Sequence, residues 1–121
     1  MVKAMRVCLT DAKINARKRS KTRKAAGKFN LTMESMLNLL WVEQKGKCAV
    51  SGVELTHESH SPYKFSIDRI ESNKGYIISN VQIVSTIINT AKSDLTTSEF
   101  HAMVLDVVKH NKLLRKKANK K

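Results

Sequence analysis

The sequence predicts one small α+β domain in which helices flank a β-hairpin. Three observations lead to this prediction. Apolar residues recur at helical spacing in two segments, apolar and polar residues alternate over Phe65–Asp68, and a glycine-containing loop separates that segment from a second strand-like one. The 121 residues, 41% of them apolar, amount to about one domain with a small core. With one proline and four glycines, the chain is not of low complexity.

Charge divides the chain into three predicted segments: a basic N-terminal arm at 1–28, a core at 29–108 and a basic C-terminal tail at 109–121. The arm has ten Lys or Arg and one acid, the core has six bases and nine acids, and the tail has seven bases and no acid. We interpret the arm as helical, at least on nucleic acid, with a thin core-facing side, and the tail as disordered beyond Leu114. Basic ends around a slightly acidic middle favour a polyanionic partner, most simply nucleic acid.

Two helices are predicted outside the arm. Thr32 is placed to cap the first, and Gly46 to end it as a residue with positive φ. Thr96 and Glu99 have the spacing of a capping box at the start of the last helix. We expect the apolar stripe of the first helix to lie in the core; its members are Met33, Met36, Leu37, Leu40 and Trp41.

A hairpin and a short helix are predicted between these helices. The first strand is Phe65–Asp68, and the second is Tyr76–Val84 with an interruption near Ser79 and Asn80. In the connecting loop, we expect Gly75 to supply a positive φ. Ser85 or Thr86 then caps a helix that ends near Lys92.

Polar residues of this unit point to metal chemistry. Asp68 ends the first strand, and Asn89 follows in the helix that is expected to pack across the hairpin. A carboxylate and an amide oxygen can share one hard divalent cation and leave its other positions for water and phosphate oxygens. Such a cation can polarise a phosphodiester and stabilise the leaving oxygen.

Four ordered segments carry a family resemblance. They run from Lys47 to Gly52, from Ser66 to Tyr76 (Ser-Ile-Asp-Arg-Ile-Glu-Ser-Asn-Lys-Gly-Tyr), from Asn80 to Val84 and from Asn89 to Leu95. Together with the helix entry Phe29-Asn30-Leu31-Thr32, they resemble the HNH endonucleases, especially phage-type members with an Asp-Arg-Ile motif and a final Asn. The resemblance covers residues 14–105.

The resemblance implies a ββα-metal core that cuts duplex DNA with one divalent cation, Mg²⁺ or Mn²⁺. It implies that Asp68 and Asn89 hold the metal, that Asn80 braces the loop presenting the catalytic residue, and that Lys92 meets a phosphate. It also suggests a phage or mobile-element origin, such as a homing endonuclease.

The chain departs from the family at Arg69, where many members have the general-base His. Arginine stays protonated at neutral pH, so Arg69 can clamp phosphate or neutralise charge in the transition state but cannot accept a proton. The possible bases are His57, His60 and Tyr63, in the loop before the first strand, or a metal-bound hydroxide. The alternative is a catalytically inactive nucleic-acid-binding protein on an HNH scaffold.

A third hypothesis is a basic structural protein, such as an RNA-packing component. Under the nuclease hypothesis, the basic arm and tail hold DNA through its phosphates. Such contacts do not recognise a base sequence. The residues assigned to binding are Arg17, Lys18, Arg19, Lys21, Arg23, Lys24 and Lys92, with the tail from Arg115 onwards.

Cysteine content and hydropathy set the remaining expectations. Two cysteines suit a reducing cytoplasm and are too few for a four-cysteine zinc site, so we expect no structural zinc. No apolar stretch suggests a membrane span or a signal peptide. The sequence leaves the oligomeric state open.

Overall fold

The computed structural model describes residues 2–21 and 27–119. The fold is mixed α and β, as predicted. The helices are α1 (Val2–Ser20), α2 (Met33–Asn38), α3 (Thr86–Lys92) and α4 (Thr97–Asn119). The strands are β1 (Phe65–Arg69) and β2 (Val81–Ser85), and they form a two-stranded antiparallel sheet.

Helix α1 is part of the folded domain and not a separate arm. Met5, Ala12 and Ala16 are buried in the same apolar cluster as Phe65 and Ile83 of the hairpin. Small side chains let the helix lie close to the sheet, and this kind of contact is difficult to see in a hydrophobic pattern. The separation of 1–28 from the core is therefore not what the structure shows.

Helix α2 begins as predicted, because Thr32 and Ser35 form a reciprocal capping box. A wider π-helical turn over Leu39–Glu43 extends it, and Gly46 follows with a φ of +74°. Met36 and Leu40 are fully buried, but the prediction of Trp41 as a core residue is wrong, since it is 50% exposed. Its indole instead lies where a side chain at Gly46 would point.

The hairpin pairs Phe65 with Ser85 at one end and Arg69 with Val81 at the other. A 3₁₀ turn over Ile78–Asn80 precedes β2, at the predicted interruption. Gly75 does not have a positive φ. It is required because a Cβ atom at this position would collide with the backbone of Lys28.

Helix α3 follows β2 directly, and the Ser85 hydroxyl accepts a hydrogen bond from the Ile88 N–H as the N-cap. The helix contacts both strands and so packs across the hairpin. This contact brings Asn89 against β1, beside Ser66.

Helix α4 starts with the predicted capping box, in which Glu99 accepts from the Thr96 N–H and Thr96 accepts from the Glu99 N–H, at 3.0 and 3.1 Å. Phe100 anchors its first turn in the core. The helix continues through Asn119, so the expectation of disorder beyond Leu114 is not met within the described residues. Over residues 2–21 and 27–119, no helix is long and apolar enough to cross a membrane.

Candidate functional site

A polar cavity of about 240 Å³ lies where α1, the end of β1, the following loop and α3 meet. We call it the Asp68 cavity. Asp68, Arg69 and Asn89 all line it, so the structure brings together three residues that the sequence singled out. The other lining residues are Asn15, Arg19, Ile67, Ser72, Tyr76, Ser93 and Asp94.

Asp68 is held in a buried ion pair. Its carboxylate is 5% exposed, and the Lys92 ammonium, 1% exposed, lies 3.2 and 3.3 Å from its two oxygens. Gln82 of β2 also donates to Oδ2 at 2.9 Å. Both charges are thus compensated inside the protein.

The resemblance implied that Lys92 meets a phosphate. In the structure its ammonium group is instead paired with Asp68 inside the protein. Its remaining contact is a hydrogen bond to the Arg69 carbonyl oxygen at 3.1 Å, which ties the end of α3 to the end of β1. We correct its assignment to an internal position, because an ammonium group so completely buried cannot meet DNA without leaving Asp68.

Asn89 is oriented by a neighbour on β1. Its amide nitrogen donates to the Ser66 hydroxyl at 2.7 Å, and this bond fixes the side-chain plane. Asn89 also borders a smaller adjoining cavity of about 130 Å³ that reaches Asp11 on α1.

Asn80 braces the loop between the strands, which is the position that the resemblance implies for it. Its amide accepts from the Glu71 N–H and donates to the carbonyl oxygens of Glu71 and Gly75, at 3.0, 3.1 and 2.9 Å. The side chain is buried and lies in the 3₁₀ turn rather than on the strand. These contacts stabilise the geometry of the loop, and Asn80 does not line the Asp68 cavity.

Arg69 shares the bracing of this loop. Its guanidinium donates to the carbonyl oxygens of Ser72 and Lys74. Burial lowers the pKa of Arg69, and the nearby Arg19 charge lowers it further. The group remains a cation at neutral pH, because arginine starts from a very high pKa.

Tyr76 connects two cationic side chains at the cavity. The guanidinium carbons of Arg19 and Arg69 lie 5.8 and 5.4 Å from the centroid of its ring, within cation–π distance. Arg19 also donates to the Tyr76 hydroxyl at 3.4 Å. Two positive charges close to one aromatic ring create a local field that favours an anion.

The three predicted bases lie away from the Asp68 cavity. His57, His60 and Tyr63 are exposed and precede β1, whereas Asp68 is near the other end of that strand. His60 borders a separate surface depression with Lys64 and Ile87. The structure does not bring any of the three to the cavity wall.

Of the basic residues predicted to contact phosphate, some are exposed on the surface and one lines the Asp68 cavity. Arg17 and Lys18 in the last turn of α1 are exposed, as is Lys21 just after it, and Arg19 lines the cavity. Arg23 and Lys24 fall outside the described residues. The part of the tail that the structure describes, from Arg115 to Asn119, is helical.

Sequence reasoning missed Asn15, Tyr76 and Asp94 as cavity residues. Asn15 comes from α1, which we had treated as outside the core. Asp94 follows α3, and its carbonyl oxygen accepts from the Ser72 hydroxyl at 3.2 Å. The early signal was that Tyr76 and Asp94 both lie within segments that resemble the HNH family.

Asp68 and Asn89 are the types of ligand that one divalent cation would take, but the Lys92 ammonium competes for Asp68. Asp68 and Asn89 offer a carboxylate and an amide oxygen on one cavity, as hard cations prefer. Within residues 2–21 and 27–119, no three His, Cys, Asp or Glu side chains cluster as metal ligands would. A cation at Asp68 would also meet the Lys92 ammonium, so it would have to share or replace that contact.

A scan against protein-family models found no matching family, and searches of curated proteins and of solved structures found no match either.

Proposed function

We propose that this protein is a metal-dependent DNA endonuclease with a ββα-metal core of the HNH type. The observation that carries the proposal is the convergence of Asp68, Arg69 and Asn89 on one polar cavity at the junction of a hairpin and its crossing helix. The basic last turn of α1 supports it, since Arg19 reaches the same cavity. A phage or mobile-element source, and a homing role, belong to the same proposal.

The chain's own residues account for phosphate binding. Asp68 and Asn89 would hold one Mg²⁺ or Mn²⁺, which when bound polarises the phosphodiester and stabilises charge on the leaving oxygen. Arg69 and Arg19 supply positive charge beside that position and neutralise the phosphate as negative charge grows in the transition state. Ser72 and Tyr76 fix these guanidinium groups in place.

Hydrolysis also needs a proton acceptor. Water attacks phosphorus, the new P–O bond forms, the old one breaks, and the water proton must leave while the leaving oxygen gains one from solvent. With His57, His60 and Tyr63 outside the cavity, Asp94 is the exposed carboxylate that lines it. We assign Asp94 as the acceptor, with the expectation that Asp94→Asn slows cleavage about 10²–10⁴-fold and removes the acidic limb of the pH–rate profile.

The decisive test is cleavage of supercoiled plasmid with Mg²⁺ or Mn²⁺, with EDTA as the metal-free control. The informative variant is Asp68→Asn/Lys92→Met, which removes both buried charges together and so avoids leaving either one unpaired. We expect it to be folded, by thermal unfolding, and inactive. Glu58→Gln, which removes an exposed carboxylate from the loop before β1, should cut like the wild type. An active double variant would refute the site.

The second candidate function is nucleic-acid binding without catalysis. Two observations favour it: Lys92 already neutralises Asp68, and Arg69 stands where the family base would be and is tied to the loop. Mn²⁺ binding followed by electron paramagnetic resonance separates the two. Duplex DNA binding with no Mn²⁺ binding and no cleavage, together with cleavage by Arg69→His, would establish the binding protein.

A further inference from the structure

Helix α4 carries an apolar face that the described part of the protein leaves uncovered. Beyond its buried anchor Phe100, four large apolar side chains recur every three or four residues, a fifth follows seven residues after Val107, and all five are 37–55% exposed. We call them the α4 stripe: Met103, Val104, Val107, Val108 and Leu114. Spacing of this kind places them on one face of the helix. An exposed apolar face of this length, interrupted at Asn111, marks an interaction surface.

Charges along one flank of the stripe specify the partner. At 3.6 residues per turn, Glu99, Asp106, His110 and Lys117 lie on the same side of the helix. The acidic members come from its first half and the basic ones from its second half. A helix with this polarity complements a second copy of itself that runs in the opposite direction.

We infer that the α4 stripe pairs with the same stripe of a second copy of this chain, in an antiparallel dimer with a twofold axis near Val107 and Val108. In that register Glu99 lies near Lys117 of the second copy, and Asp106 lies near its His110. A parallel pair would instead bring the two basic C-terminal halves of α4 together. Twofold, isologous pairing of this kind is the commonest form of self-association.

The dimer does not depend on the proposed nuclease activity. If the protein is an endonuclease, twofold symmetry would also present two cavities to one duplex, and a site that cuts one strand at a time could then break both. Because the test below uses the full chain without DNA or metal, an inactive protein can still confirm the dimer.

Sedimentation equilibrium from micromolar to hundreds of micromolar protein measures the mass. We expect a concentration-dependent rise from 13.7 kDa to twice that value. Val107→Glu, which places two carboxylates near the axis, should raise the dissociation constant about tenfold or more. Leu105→Glu is the matched control, because Leu105 is 44% exposed on the opposite side of the same helix. Circular dichroism confirms that both variants are folded.

Two cysteine variants test the direction of the pair against a parent that keeps Cys8 and Cys48. Val107→Cys should form an intermolecular disulfide. Lys117→Cys should not, since the two positions would lie roughly 28 Å apart in the antiparallel dimer. A mass that stays monomeric, a Val107→Glu variant that associates like the wild type, or efficient cross-linking through position 117 would overturn the inference.

Discussion

At the scale of single residues, the pair of Asp68 and Lys92 decides how the site behaves. The two side chains are 24 positions apart in sequence, and each is almost wholly removed from water. A carboxylate that is free to bind a cation would be expected at a metal site, yet here an internal ammonium takes that contact. The pair holds the end of α3 against the end of β1. A metal ion that binds Asp68 must also displace or share the Lys92 ammonium.

The ion pair predicts a strongly non-additive mutant cycle. Asp68→Asn or Lys92→Met alone leaves one buried charge without its partner, so each should lower the free energy of unfolding by about 3–5 kcal/mol. The double variant should lose far less than the sum of the two. Urea denaturation of the wild type and the three variants measures this. Additive losses would mean that the two charges do not interact in the folded protein.

The separate residues of the cavity were predictable, but their pairing was not. Asp68 and Asn89 stood out because the predicted strand and crossing helix could bring a carboxylate and an amide together, and Asn80 stood out through the family resemblance. Whether Lys92 faces DNA or Asp68 depends on how α3 rotates on the hairpin, and local spacing does not encode that rotation. The partners of Arg69 were equally hidden, because they are backbone carbonyl groups.

At the scale of elements, capping signals were the most reliable guide to the fold. Thr32, Ser85 and Thr96 each accept the hydrogen bond that their sequence context predicts. The errors arose where tertiary contact overrides a pattern. Trp41 follows the helical spacing of the core residues, but it lies in the π-helical turn, which rotates its side chain away from the core. Helix α1 buries small residues, which give a weak hydrophobic signal.

The cap of α4 predicts a pH dependence. The hydrogen bond from the Thr96 N–H lowers the pKa of Glu99 below its ordinary value. Because the folded-state pKa is the lower one, this stabilisation is complete above the unfolded-state pKa and is lost as pH falls through the folded-state value. Ellipticity at 222 nm should therefore fall less between pH 5 and pH 3, roughly the range of carboxylate titration, in Glu99→Gln than in the wild type.

Glu58→Gln is the control for that measurement, since it removes an exposed carboxylate from the loop before β1, away from the cap of α4. It should keep the wild-type acid dependence. An unchanged curve for Glu99→Gln would show that the capping carboxylate does not stabilise α4.

At the scale of the whole molecule, the net charge of +13 is predictable from sequence, but its arrangement around the cavity is not. Because α1 packs on the hairpin, its basic last turn is fixed beside the Asp68 cavity, and Arg19 belongs to both. Deleting the first 24 residues would remove Met5, Ala12 and Ala16 from the core, so truncation would report on folding rather than on DNA binding. Point substitutions on the exposed side of α1 are needed instead.

The fixed position of α1 gives the final prediction, which compares its two ends. Lys18→Ala/Lys21→Ala removes two exposed positive charges near the cavity, and Lys3→Ala/Arg6→Ala removes two from the other end of the same helix, roughly 22 Å away. Both variants have the same net charge, so the general field is matched. If DNA lies over the cavity, the first variant should make the slope of log K against log salt shallower by about 0.9 per lost phosphate contact, and the second should change it much less. Fluorescence anisotropy with a labelled duplex at several salt concentrations gives both slopes. Equal slopes in the two variants would mean that the protein holds DNA through its overall charge and not through this face, and the cavity would lose its role as the place where the duplex is bound.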